Sequence, residues 1–438
     1  RARGSRPGAC PRLLIRMRTA APRALPAARA REHGQVVILA LLVVLLLAGA
    51  LASSLVGGAR TEIAGDHKTA EALARAREAL IGYAALQNKP GLLPCPDTDN
   101  DGSADAPCGA LGATAIGRLP WRTLGLPDLR DGAGECLWYA VSGNFKNSGI
   151  SAPATVNSDS PATLVITDGG GTALPSPLSP AVAIVFAPGK ALAGQDRTGT
   201  GATACGGNNN PANYLEAGNQ LAATTYVAGT PSDTYNDRLL PVTHDALFAV
   251  VELRVAKTVL GALESYFSAN GYYPAPAVPS DASCLGSATL LPTACPSDPL
   301  PPAGATHPTG RIPNLPLLAP YAGGSDILRG DVPCPSATYW FQCNGWRELT
   351  WMAVSYACTQ PLSCATGDLT VWWRPHGIAI PNRRIVVFVA GRALAGDARS
   401  TLADKTTASN YVEPANTAGP NYDKGAVTDT FNDKVLHN

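Results

Sequence analysis

The apolar and polar positions divide the chain into three kinds of stretch. From Val36 to Leu47 every residue is aliphatic, and Ala48 to Ala59 adds small or apolar residues and two serines. About twenty such residues span a bilayer core, so 35–59 is predicted to be a transmembrane segment. The pattern then turns amphipathic without a break. Leu73, Ala76, Leu80, Tyr83 and Gln87 fall on one stripe, with Ala70, Ala74, Ile81 and Ala84 beside it. Glu71, Arg75 and Glu78 lie elsewhere, spaced for mutual support along a helix. Pro90-Gly91 ends the pattern. The prediction is one long helix, its first half in the membrane and its second half packed on a folded domain.

Beyond it, short β-branched runs bounded by turn residues predict strands at Cys136 to Val141, Thr163 to Thr167 and Ala181 to Ala187. A second amphipathic stretch starts near Thr243. Leu247, Val250, Val251, Val255, Val259, Ala262, Leu263 and Tyr266 recur at helical spacing, and Asn270-Gly271 is a stop signal.

The chain also repeats itself. GKALAGQDR (Gly189 to Arg197) returns as GRALAGDAR (Gly391 to Arg399). Asn213-Tyr214-Leu215-Glu216 returns as Asn410-Tyr411-Val412-Glu413, and DTYNDRLL (from Asp233) as DTFNDKVL (from Asp429). Tyr273-Pro274-Ala275-Pro276 echoes Leu93-Pro94-Cys95-Pro96. The predicted fold class is therefore α+β: a transmembrane-plus-amphipathic helix on small antiparallel sheets, in two tandem helix-plus-sheet modules with disulfide-stapled loops. The expected divisions are a basic leader (1–34), a membrane half-helix (35–59), a first module (60–242) and a second (243–438).

Charge orients this arrangement. Arginines recur from Arg1 to Arg31, ahead of the apolar run, and positive flanks stay cytoplasmic. The expected topology is a single pass through the inner membrane, with the amino terminus cytoplasmic and both modules periplasmic. Met17 offers an alternative start. Net charge is +1, which leaves no nucleic-acid footprint. The 44 glycines and 38 prolines imply loop-rich modules. Of eleven cysteines, all but Cys10 follow the apolar run, and with no CxxC they read as disulfides. Proximity pairs Cys95 with Cys108, Cys284 with Cys295, Cys334 with Cys343 and Cys358 with Cys364, leaving Cys136 for Cys205.

The stretch from the basic leader through Gly34-Gln35, the apolar run and the amphipathic continuation resembles the amino terminus of type IV pilins and type II secretion pseudopilins. The resemblance implies cleavage between Gly34 and Gln35 by a prepilin peptidase, methylation of Gln35, and assembly beside other pilin or pseudopilin subunits in an inner-membrane-based filament. Leu39 stands where the family usually has a glutamate that neutralises a neighbour's terminal ammonium. An unpaired buried charge is costly, so Leu39 points to a minor or tip subunit of a pilus or pseudopilus. The alternative is a periplasmic binding or adhesion protein on a signal anchor, or behind a signal cleaved near Ala48-Gly49-Ala50.

One local motif carries candidate chemistry. Asp97, Asp99, Asp101, Ser103 and Asp105 alternate around Gly102, an arrangement that wraps oxygens about calcium. Cys108 stands where a calcium-binding helix-loop-helix has its closing glutamate, so the expectation is a disulfide-closed Ca2+ loop, and the other reading is a solvated turn. Enzyme signatures are missing: there is no GxSxG, HExxH or P-loop, and His67, His244, His307, His376 and His437 are scattered. No catalysis is expected. Trp340, Trp346, Trp351, Trp372 and Trp373 read either as core or as an exposed aromatic patch.

Overall fold

The computed structural model describes residues 62–147, 155–176, 178, 180–199, 204–281, 284–285, 309–313, 340–359 and 364–438. Gly34, Gln35, Leu39 and the apolar stretch 35–59 lie outside them. Ile63–Asn438 form one compact unit.

Each module stacks a helix, an antiparallel sheet and a smaller parallel-paired layer. In module one the helix α1 covers residues 62–86. A two-residue strand, β1 (Leu93–Pro94), leads to β2 (Gly112–Arg118), β3 (Trp138–Gly143), β4 (Lys146–Asn147), β5 (Val165–Asp168), β6 (Ala181–Ala187), β7 (Thr225–Ala228) and β8 (Arg238–Thr243). The main sheet runs β2-β3-β6-β8, antiparallel throughout. Module two starts with α2 (His244–Asn270) and continues through β9 (Gly310–Arg311), β10 (Thr350–Val354), β11 (Leu369–Trp373), β12 (Ile378–Arg383), β13 (Ile385–Val389), β14 (Asn421–Lys424) and β15 (Lys434–His437). Its main sheet, β9-β10-β13-β15, repeats the strand order of the first.

The strands alternate as a two-faced sheet requires. Leu137, just before β3, and Tyr139 and Val141 on it face the helices, while Trp138 and Ala140 face the opposite layer with Ile166, Tyr214 and Tyr226. That layer is the parallel pair β5-β7, with Val165 beside Thr225. Its counterpart is β11-β14, with Thr370 beside Asn421, and here a third strand, β12, adds to the free side of β11.

The two helices differ in how much they bury. Alpha1 buries Ala72, Leu73, Ala76, Leu80, Ile81 and Ala84 along one stripe, and leaves Glu71, Ala74, Arg75 and Glu78 outside. Alpha2 lies between the modules. Phe248 approaches Phe145 of module one and Trp346 of module two, each at 6.1 Å between ring centroids. Arg254 donates to the carbonyls of Ala85 and Gln87 at the end of α1, where a cation complements the helix dipole. One hydrophobic cluster runs through both modules. Thr243 caps α2 by accepting from the Ala246 amide, and Gly271 ends it in the left-handed conformation at φ 78°.

The expected fold class is corrected in two respects. Among the described residues no helix is long and apolar enough to cross a membrane; the described helix is the amphipathic 62–86 alone. The sheets are not only antiparallel, because β1-β4, β5-β7 and β11-β14 are parallel pairs. The chain is a mixed α/β fold of several small sheets. Parallel pairing joins segments far apart in sequence, which local strand signals do not report.

Candidate functional site

The acidic loop follows α1 and is closed by the Cys95–Cys108 disulfide, Cα–Cα 5.7 Å. Asp97 is buried beneath it and bridges to Arg118 of β2 through the backbone. The Asp97 carboxylate accepts from the Asn100 amide (2.6 Å) and the Gly102 amide (2.7 Å). Asp105 accepts from the Thr98 amide (2.6 Å) and hydroxyl (2.7 Å). Ligand oxygens of Asp97, Asp99 and Asp105 fall within 4.8 Å of one another. Burial pushes the Asp97 carboxyl up, backbone amides pull it back, and the charges of Asp105 and Asp99 push it up again. A cation would relieve that crowding, so the three-carboxylate set fits a hard ion.

Asp101 and Ser103 are not in the group. Asp101 accepts from the Ser103 amide at 2.6 Å, which turns its carboxylate along the loop and holds it below the usual carboxylate range. A second group, Asp128 with Cys136 and Cys205, offers no thiolate, since those cysteines are bonded to each other. Cys358–Cys364 is also formed. Cys284 and Cys343 are disulfide-bonded, and Cys295 and Cys334 lie outside the described residues.

A constellation that the motif reading missed occurs twice. In module one the Trp138 and Tyr214 rings meet at 5.2 Å, the Arg118 guanidinium caps both at 4.8 and 4.6 Å from their centroids, and Arg197 also lies over Tyr214 at 4.8 Å. In module two the Trp351 and Tyr411 rings meet at 5.5 Å, Arg311 caps both at 4.4 and 5.1 Å, and Arg399 lies over Tyr411 at 4.6 Å. Arg197 donates to the Gly189 carbonyl at 2.7 Å, and Arg399 to that of Gly391 at 2.9 Å. This is why the two arginines close the repeated nine-residue motif.

Each module also holds a carboxyl pair whose aspartate is buried. Glu216 accepts from the Asn236 and Asp237 amides, while Asp237 accepts from the Glu216 amide at 2.9 Å and the Asn219 side chain at 3.0 Å. Asp433 accepts from the Glu413 amide at 3.2 Å and from Asn416 at 2.8 Å. The two asparagines bond both ways to Val227 and Asp423 respectively, and so hold the parallel strands β7 and β14. Asp237 and Asp433 are raised by burial first and by their glutamate partners next. Burial and the neighbouring carboxyl together favour the protonated form of each aspartate. The motifs NYLE/NYVE and DTYNDRLL/DTFNDKVL carry these residues. Their return at matching spacing was the available signal.

A further acid stands alone. Glu252, on α2, is buried between the modules and accepts from the Ser158 hydroxyl at 2.7 Å. Burial pushes its carboxyl up to about 8. Of the five module-two tryptophans, Trp340, Trp346 and Trp351 are core, Trp372 is half-buried, and Trp373 is 40% exposed. Of the histidines, His67 and His376 are exposed, His244 begins α2 and His437 ends β15, while His307 lies outside the described residues.

In comparisons with known proteins, no family model matches the chain, and no curated protein or solved structure is significantly similar to it.

Proposed function

We propose that this chain is a non-enzymatic minor subunit of a pilus or secretion pseudopilus, of the type IV pilin and pseudopilin kind, processed between Gly34 and Gln35 by a prepilin peptidase. The observation that carries the reading is α1. It lies at the start of the compact unit with one stripe buried and the opposite face left free, carrying the exposed Glu71–Arg75 pair at 2.9 Å. A helix whose Glu71, Arg75 and Glu78 face stands exposed among the described residues suits side-by-side packing with helices of neighbouring subunits. The proposed site of action is the periplasmic face of the inner membrane, and Asp97, Asp99 and Asp105 are the proposed ligands of one calcium ion. Nothing in the reading calls for a bond to be made or broken.

Intact-mass measurement of the chain after co-expression with a prepilin peptidase tests this. The expected species begins at methylated Gln35. An uncut leader, or a terminus near Leu51, would sink it.

The second reading, a periplasmic binding or adhesion protein, draws on one observation. Trp373 and Ile378 sit opposite each other on the β11-β12 hairpin, 40% and 49% exposed. The matching place in module one has only the single bridge Thr167–Ala173 and a glycine turn.

A further inference from the structure

Residues 155–160 of module one form a strap that reaches module two at three points. Asn157 donates to the Asn344 carbonyl at 3.1 Å. Ser158, fully buried, donates to Glu252 of α2 at 2.7 Å. Asp159 accepts from the Ala393 amide at 3.0 Å and from Arg399 at 2.8 Å. Val156 packs over Gly91, where a Cβ would come within 2.7 Å of it, and Phe248 lies beside the same glycine. The strap is thus held by polar contacts around one buried acid.

That acid is not needed for a helix to lie on this sheet. On the buried stripe of α1 the polar residue is Thr69, and no carboxylate occurs there. Glu252 belongs to the seam. The groups facing it are mixed in sign. Asp159 comes from the strap, His244 and Asp245 from its own helix, Lys434 from β15, and Arg392 from the loop after β13. Arg392 lies 3.4 Å from Asp245, and Arg399 is taken by Asp159. Both arginines are therefore engaged by other acids, and Lys434 is the cation that acts on Glu252. Water has a route to the seam, because a cavity of about 260 Å3 lined by Ser158, Asp159, Ser176, His244, Asp245 and Arg392 adjoins it.

We propose that Ser158 and Glu252 form a proton-operated latch between the modules: the protonated carboxyl keeps the strap clamped, and its ionisation releases the strap toward the adjoining cavity. A carboxylate left in the seam would be desolvated and would face Asp159 and Asp245, and the desolvation outweighs the stronger bond that Ser158 would give it and the pull of Lys434. Released into water, it is stabilised. The sign follows from linkage. The folded carboxyl titrates at about 8, above the ordinary glutamate range, so the clamping is complete below that range. It is lost progressively as pH rises to about 8 and changes no further above it.

Amide hydrogen exchange on the full chain, corrected for intrinsic base catalysis, reads this directly. Protection of residues 155–160 should fall about tenfold per pH unit between roughly pH 5.5 and 7.5, more steeply than protection along β3 and β6. In Glu252→Gln and in Glu252→Met the strap should lose that excess slope. If one variant does not fold, the other decides. A wild-type strap whose slope equals that of the sheet, or an excess slope that survives in a folded variant, would overturn the latch.

Discussion

Module one and module two share strand order, arginines on aromatic rings and carboxyl pairs, yet among the described residues each exposes something that the other does not. Module one carries the acidic loop at 97–105 and a free-faced helix. Module two carries the extra strand β12, paired with β11 and its terminal Trp373, and a helix walled in on both sides. What appears twice serves the frame: an arginine capping two touching rings, a carboxyl pair and an asparagine that clips a parallel strand. What appears once is free of that duty. The comparison therefore sorts residues by purpose without reference to any other protein.

Breaking the shared part should cost most. Phe248→Ala removes the ring that touches both modules and should destabilise the chain by about 3–5 kcal/mol. It should do so in a single unfolding transition, since one core serves both. Calorimetry would check it, and two separate transitions would show that the modules fold apart.

Acidity should come next. Asp237 and Asp433 are raised by burial and by their partners, and Glu252 by burial. A raised acid contributes stability that is fully present below the ordinary carboxylate range and is lost as pH rises through its folded value. The melting midpoint should therefore fall between pH 5 and 8, by up to about 1.4 kcal/mol per pH unit for each group. Asp433→Asn should reduce that slope. A midpoint that rises over this range would contradict the protonated aspartates.

Gly391→Ala should cost about 1–3 kcal/mol, because its Cβ would come within 2.5 Å of the Asn432 side chain. Asn432 is buried and tied to the Arg392 carbonyl. At Gly189 the matching distance is 3.0 Å with φ at 65°, so alanine there is strained by its backbone instead. Urea titration of both variants would show whether the repeat is equally tight in each module.

The unshared features should matter little for stability unless a ligand is bound. Calcium at a hundred times its dissociation constant should add about 2.7 kcal/mol if the acidic loop takes it, and Asp99→Asn should abolish the gain. A melting point indifferent to calcium and to chelator would return the loop to a hydrogen-bonded turn. Trp373→Ser should change stability by no more than about 0.5 kcal/mol. A larger loss would mean that the hairpin end is part of the core.

Much of this was legible in the chain, and the reasons are specific. The second helix announced itself by Val251, Val255, Val259 and Leu263 at helical spacing between Thr243 and Gly271, because both the stripe and the caps are local. The parallel pairs were not legible, since Val165 and Thr225 meet only through the fold. In the acidic loop the alternation marked the place but not the direction of each side chain. Asp101 bonds the amide two residues on, a competing arrangement that spacing alone does not reveal. Glu252 passed as one polar position on an apolar stripe, because its meaning depends on Ser158, in the other module. The amphipathic pattern before Pro90 marked a helix. Its extension through 35–59 rested on hydropathy, and among the described residues no helix meets the requirements for crossing a membrane.

The central claim is that the free face of α1 is an assembly surface and that the hairpin of module two is not. Photo-crosslinking in the native cell, from a reactive residue at Glu78 and separately at Trp373, compares the two regions directly. The account predicts that Glu78 captures another subunit synthesised with a prepilin-type leader and already processed, and that Trp373 captures none. Adducts from Trp373 alone, with Glu78 silent, would contradict it and leave a binding protein in its place.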